Sequence, residues 1–132
     1  MSQENVGLVQ ALYRAVNRND AEAILALMAP DIEIVPDLLL DQGLVRGHEG
    51  VRALRATLRE AWGDSFRISP EEFIEHEDRV VVILRVEGTA KASGLNVDLP
   101  GAHLATLRDG KVARLETFPS RSQALEAVGL RE

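Results

Sequence analysis

"AHLATLRDGKVARLETFPSR", residues 102–121, holds two apolar runs on either side of a polar turn made by Arg108, Asp109, Gly110 and Lys111. Aspartate followed by glycine between alternating runs is the strongest short-range signal for a β-hairpin. Val97, Leu99, Gly101, His103, Ala105 and Leu107 alternate with Asp98, Pro100, Ala102, Leu104, Thr106 and Arg108. Side chains along a strand point to opposite faces in turn. The register of this one turn therefore decides which way His103 looks.

Outward from the hairpin, the period of two continues. "FRI", "EFIEH", "RVVVILRVEG" and "LNVDLPGAHLATL" read as strands, separated by the turns "HEDR" and "KASG". In "RVVVILRVEG" Arg85 and Glu87 share a face, which leaves Val82, Leu84 and Val86 for the interior. Downstream, "PSRSQALEAVGL" opens with Ser120 three residues before Gln123 and closes near Gly129. That is a capping box followed by a glycine C-cap, the marks of a short terminal helix.

The first half of the chain has a different period. Val6, Val9, Leu12, Tyr13 and Val16 form a helical stripe. "NRND" breaks it, and Asp20 caps a second helix carrying Ile24, Leu25, Leu27 and Met28, expected to end near Ala29 and Pro30. "DIEIV", residues 31–35, reads as a strand, and an irregular stretch, "PDLLLDQGLVRG", follows. Gly47 to Gly50 then leads into a third helix with Val51, Leu54, Leu58 and Trp62 on one side. Three helices, one early strand and a run of antiparallel strands make an α+β domain, helices on one face of a curved sheet.

The bulk properties narrow the function. At 132 residues the chain is one domain, residues 1–132. A net charge of −6, with the basic residues interleaved among acids, disfavours nucleic acid. Without cysteine there is no disulfide, thiolate metal site or cysteine nucleophile. The start, "MSQENVGLVQ", lacks the basic and apolar regions of a signal peptide, and "VVVIL" is too short to span a membrane. These features point to a soluble cytoplasmic protein without a membrane partner. No histidine has a close histidine partner in sequence, and there is no G-x-S-x-G, Walker loop or dinucleotide fingerprint. No metal or cofactor is expected.

Four stretches in this order and spacing, "LVQALYRAVNRNDAEAILALMAPDIEI", "RGHEGVRALRATL", "DRVVVILRVEG" and "HLATLRDGKVARLETFPSRSQALEAVGL", resemble the SnoaL-like branch of the nuclear transport factor 2-like superfamily. The resemblance covers nearly the whole chain. It implies a cystatin-like cone: a strongly curved antiparallel sheet wrapped around three N-terminal helices, with a pocket at the open end and a short C-terminal helix. It also implies a homodimer through the outer sheet face. The superfamily holds isomerases, dehydratases, hydrolases and cyclases, and also pockets without known reactions and protein-binding members, so the fold alone does not name the function.

By resemblance to ketosteroid isomerase, counted back from the glycine-lysine turn, His103 stands where that enzyme keeps a hydrogen-bonding strand acid. That puts His103 on the pocket face, turns Ala113, Leu115 and Thr117 inward, and turns Arg114, Glu116 and Phe118 outward. The isomerase tyrosine corresponds to Leu12, one residue before Tyr13, and one residue is about 100° of helix rotation. The isomerase base corresponds to Pro36, one residue before Asp37. The isomerase set is therefore not intact.

The candidate catalytic residues are His103, Tyr13 and Asp37. A histidine has one donor and one acceptor nitrogen when neutral and titrates near physiological pH. Tyr13 is expected to pack with its hydroxyl at the rim, and Asp37 and Asp41 more often read as solvated loop acids. Leu12, Val16, Leu58, Trp62, Val82, Leu84, Ala105, Leu115 and Thr117 are the expected ligand-lining residues. His48 reads as a helix-start residue, His76 as facing solvent, Arg46 as a surface charge able to reach the mouth, and the three leucines from Leu38 to Leu40 as a lid or a contact. The partner expected is a small, largely apolar molecule with one or two oxygens. Three readings stand: a cofactor-free acid–base isomerase, dehydratase or cyclase; a ligand-binding protein without turnover; and an interaction module using the outer face around Arg114, Glu116 and Phe118.

Overall fold

The computed structural model describes residues 2–36 and 43–130. The chain runs α1 (Ser2–Asn17), α2 (Ala21–Ala26), β1 (Met28–Val35), β2 (Val45–Arg46), α3 (Gly47–Trp62), a single 3-10 turn (Gly63–Ser65), β3 (Arg67–His76), β4 (Arg79–Thr89), β5 (Asn96–Arg108), β6 (Lys111–Phe118) and α4 (Arg121–Ala127). The strands form one sheet in the order β2-β1-β6-β5-β4-β3. Among the described residues no helix is long and apolar enough to cross a membrane.

The hairpin forms where the sequence places it. Asp109 and Gly110 have φ of 54° and 74°, the pair of positive angles that a type I′ turn requires and that matches the twist of its strands. Arg108 faces Lys111 across the turn, and His103 faces Thr117 on β6 and Val82 on β4. One residue beyond expectation enters β6 as a bulge: Thr106 pairs Arg114 while Leu107 pairs Val112. Ala113 is the extra residue and stays half-buried, so Val112, fully buried, joins the inner core beside Leu107. From Arg114 onward the expected alternation resumes.

The sheet separates two apolar clusters. Inside, Val9, Leu12 and Tyr13 of α1 pack with Val80, Val82, Leu84, Ala105 and Leu115. Outside, Val81, Ala102 and Leu104 pack against Ala124, Leu125 and Val128 at the C-terminal helix. Ser120 starts that helix by accepting from the Gln123 backbone N–H at 3.3 Å. Asn17 ties α1 to the first residues of β3, since its side chain donates to the Ile68 carbonyl at 2.7 Å and accepts from the Ile68 N–H at 2.8 Å.

Several boundaries differ from the sequence reading, each for a local reason. The second helix stops at Ala26, and Met28 opens β1 by pairing with Val112. Pro30 sits in that strand where the register shifts between Met28 and Glu33, a place where a missing N–H costs no ladder bond. The β1–β6 pairing is parallel, so the sheet is mixed, with its other four pairings antiparallel. Inside the stretch read as irregular, Val45 and Arg46 pair with Ile34 and Glu33. "FRI" and "EFIEH" fuse into one edge strand, which absorbs Pro70 at a bulge beside Glu71. His76, expected in solvent, closes the β3–β4 hairpin opposite Arg79 and is half-buried.

Candidate functional site

His103 is the one buried polar or charged residue among those described, with 8% of its surface exposed. β5 holds it on the inner face, in a cross-strand row with Phe73, Val82 and Thr117. α1 lays Tyr13 against it. The Tyr13 hydroxyl lies 2.8 Å from His103 Nδ1, and the two rings stack with centroids 5.8 Å apart and planes 25° from parallel. Tyr13 is only 2% exposed, so its hydroxyl meets the histidine instead of the rim. The helix phase explains the change: Leu12 fills the core and its neighbour turns toward β5.

The geometry assigns hydrogen-bond roles. Burial pushes the Tyr13 phenol well above the ordinary tyrosine value, so it stays a neutral hydroxyl. His103 Nδ1 is the partner of that hydroxyl. A buried O–H left without an acceptor costs about 1–3 kcal/mol. Tyr13 therefore donates and Nδ1 accepts, which puts the proton of a neutral ring on Nε2. His103 is thereby set up as a donor through Nε2.

The expected lining residues divide into two groups. Leu12, Val82, Leu84, Ala105 and Leu115 are buried in the inner core. Val16, Leu58, Trp62 and Thr117 are half-buried. Asp37, Asp41 and the leucines from Leu38 to Leu40 lie outside the described residues. His48 is a tether, its Nε2 3.1 Å from the Met28 carbonyl. Arg46 faces Glu33 at 3.7 Å and is largely exposed.

α3 spans the inner side. At its start Gly50 lies against Val45 of β2, and at its end Trp62 lies on Gly88 of β4, where an added Cβ would come within 3.2 Å of the indole. Between β2 and β4 the sheet order places β1, β6 and β5. α3 packs on β1, β2 and the 3-10 turn, with no comparable approach to β5 or β6. Along the same face of the sheet, Val86 is half-buried and Leu99 is 48% exposed. One residue on this side of α3 escaped the sequence reading. Arg55 sits between Val51 and Leu58 at helical spacing and is half-buried. The signal was present as steps of four, three and four from Val51 to Trp62, but a charged residue in an apolar stripe was passed over.

A surface depression of about 750 Å³ is lined by Arg59, Trp62, Asp64, Thr89, Lys91 and Gly94 among others. Neither His103 nor Tyr13 borders it. On the outer face, Arg114 pairs with Glu33 at 2.5 Å and with Glu116 at 3.4 Å. Phe118 packs with Ile74 and Ile83 against the cluster that includes Ala124 and Leu125, so the C-terminal helix occupies a surface expected to be open.

Comparison with known proteins agrees with this architecture. TerC, crystallised with polyporic acid, is 34% identical, with 89% of this chain and 92% of TerC aligned at a TM-score of 0.79. A nuclear transport factor 2-like protein of unknown function from Burkholderia pseudomallei K96243 is 27% identical, covering 98% and 99% of the two chains at a TM-score of 0.81. A protein described as a SnoaL-like polyketide cyclase, from Jannaschia sp. CCS1, is 26% identical over 89% and 86%, at a TM-score of 0.78. No curated protein sequence matches the chain. The SnoaL-like domain profile matches residues 9–115, most of the length, and the chain belongs to the SnoaL-like domain family.

Proposed function

We propose that the space between the middle of α3 and the inner face of β5 and β6 is a cleft for a small, largely apolar molecule. In this reading His103 acts on a ligand oxygen as a cofactor-free acid–base group. The observation that carries it is the Tyr13–His103 hydrogen bond, a polar pair placed in an otherwise aliphatic interior. A ring whose Nε2–H donates polarises a carbonyl and stabilises the enolate that forms when a neighbouring carbon loses its proton. Isomerisation, dehydration and aldol-type cyclisation share that step. Tyr13 is a positioning residue here, since it is buried and acts through the imidazole. Asp37, the third candidate named from the sequence, is the group we propose to accept that proton. The TerC complex and the polyketide cyclase relative support a cyclic, oxygenated carbon skeleton as ligand.

Thermal shift tests this reading with polyporic acid and a panel of aromatic polyketide-like quinones. A ligand that binds only the native state raises its stability. At least one compound is expected to raise the melting temperature of the wild-type protein, and to do so much less in His103→Gln. If no compound acts, or if His103→Gln responds like wild type, the reading is wrong. Product formation by the binding compounds then separates turnover from binding alone.

A further inference from the structure

α3 carries an arginine where its spacing asks for an aliphatic residue. Val51, Arg55, Leu58 and Trp62 share one side of the helix. Val51 is buried and the other three are half-buried, whereas Arg52, Ala56 and Arg59 on the neighbouring faces are exposed. Arg55 thus belongs to the side of α3 that looks into the fold.

Among the described residues no carboxylate meets it. Most other arginines engage one, as Arg59 does with Asp64 at 3.1 Å and Arg85 with Asp98 at 2.7 Å. The charge that Arg55 does feel is Arg59, of the same sign, four residues on. Partial burial and then Arg59 both press its guanidinium below the ordinary value, yet an arginine keeps its charge in a protein. A half-buried cation without a counter-charge disfavours the empty state and is relieved by an anion.

We propose that Arg55 is the anion-recognising group of the cleft, and that the ligand carries an acidic oxygen pair, a carboxylate or an ionised enol. The planar guanidinium holds the two oxygens side by side, while the apolar body of the ligand lies along Leu58 and Trp62. This inference rests on the cleft reading above and adds the charge of its ligand.

The test uses two probes of one shape, 2-naphthoate and its neutral carboxamide, 2-naphthamide. Binding is followed by NMR through the indole N–H of Trp62, the single tryptophan. Wild type is expected to bind the carboxylate about tenfold or more tighter than the amide, the size of a charge-assisted pair. Arg55→Gln is expected to abolish that preference while leaving amide binding within about twofold, and Arg55→Lys to keep part of it. Equal binding of both probes to wild type, or a preference that survives in Arg55→Gln, overturns the role of Arg55 and leaves the cleft standing. If neither probe perturbs Trp62 at millimolar concentration, the cleft reading falls, and this inference with it.

Discussion

At the residue scale, one hydroxyl decides what His103 can do. The sequence held both members of the pair: the single tyrosine on the first helix and a histidine in the hairpin strand. It did not hold their contact, because 90 residues separate them and only the packing of α1 on the sheet brings them together. One residue of helix phase separates Leu12 in the core from Tyr13 on the imidazole. Burial of the Tyr13 phenol also gives a pH signature. Its folded-state value is raised while the unfolded value stays near about 10. Below that pH both states keep the proton and Tyr13 adds no slope. Above it the unfolded chain releases the proton first, so stability falls as pH rises. Ultraviolet titration of the single tyrosine is expected to show no phenolate while the protein stays folded, and its appearance together with unfolding. A phenolate that forms reversibly near pH 10 in the folded protein contradicts the burial.

At the element scale, alternation was the reliable signal and interruptions were the blind spots. The inner set Val82, Leu84 and Ala105 was readable because an unbroken strand repeats every two residues. The bulges at Glu71 and Ala113 shift that count by one, which no periodicity reveals. The short β2 was hidden because two residues carry no pattern of their own and pair only because β1 is there. Arg55 was missed for the opposite reason, since its spacing was apolar and its chemistry was not. The seating of α3 depends on Gly88, whose missing side chain admits the Trp62 ring. A methyl group there meets the indole at 3.2 Å and the Phe66 Cα at 3.6 Å. Gly88→Ala is expected to cost about 1–3 kcal/mol through overpacking, with a shift in Trp62 fluorescence, measured by urea unfolding. A neutral substitution with unchanged fluorescence shows that α3 is not anchored at that point.

At the scale of the whole molecule, the layered α+β cone was legible from the order of periods along the chain, while the mixed pairing was not. A parallel β1–β6 contact joins strands from opposite ends of the sequence, and nothing local announces it. The outer face is likewise a whole-molecule property, because the C-terminal helix covers part of it and leaves Phe118 half-buried. A homodimer through this face remains our proposal, using the part that carries Glu33, Arg114 and Glu116. Such a charged contact weakens as salt screens it. Light scattering is expected to find a dimer at low ionic strength that dissociates progressively toward 1 M salt, where the screening length is about 3 Å. A dimer indifferent to salt places the interface elsewhere, and a monomer throughout removes it.

The account turns on His103 being presented as a donor by Tyr13. Long-range proton–nitrogen NMR of the His103 ring, at a pH where the ring is neutral, tests this directly. The predicted result is a proton on Nε2 and an accepting Nδ1, with Tyr13→Phe altering the Nδ1 signal. A proton on Nδ1, with Tyr13 as acceptor, would contradict it.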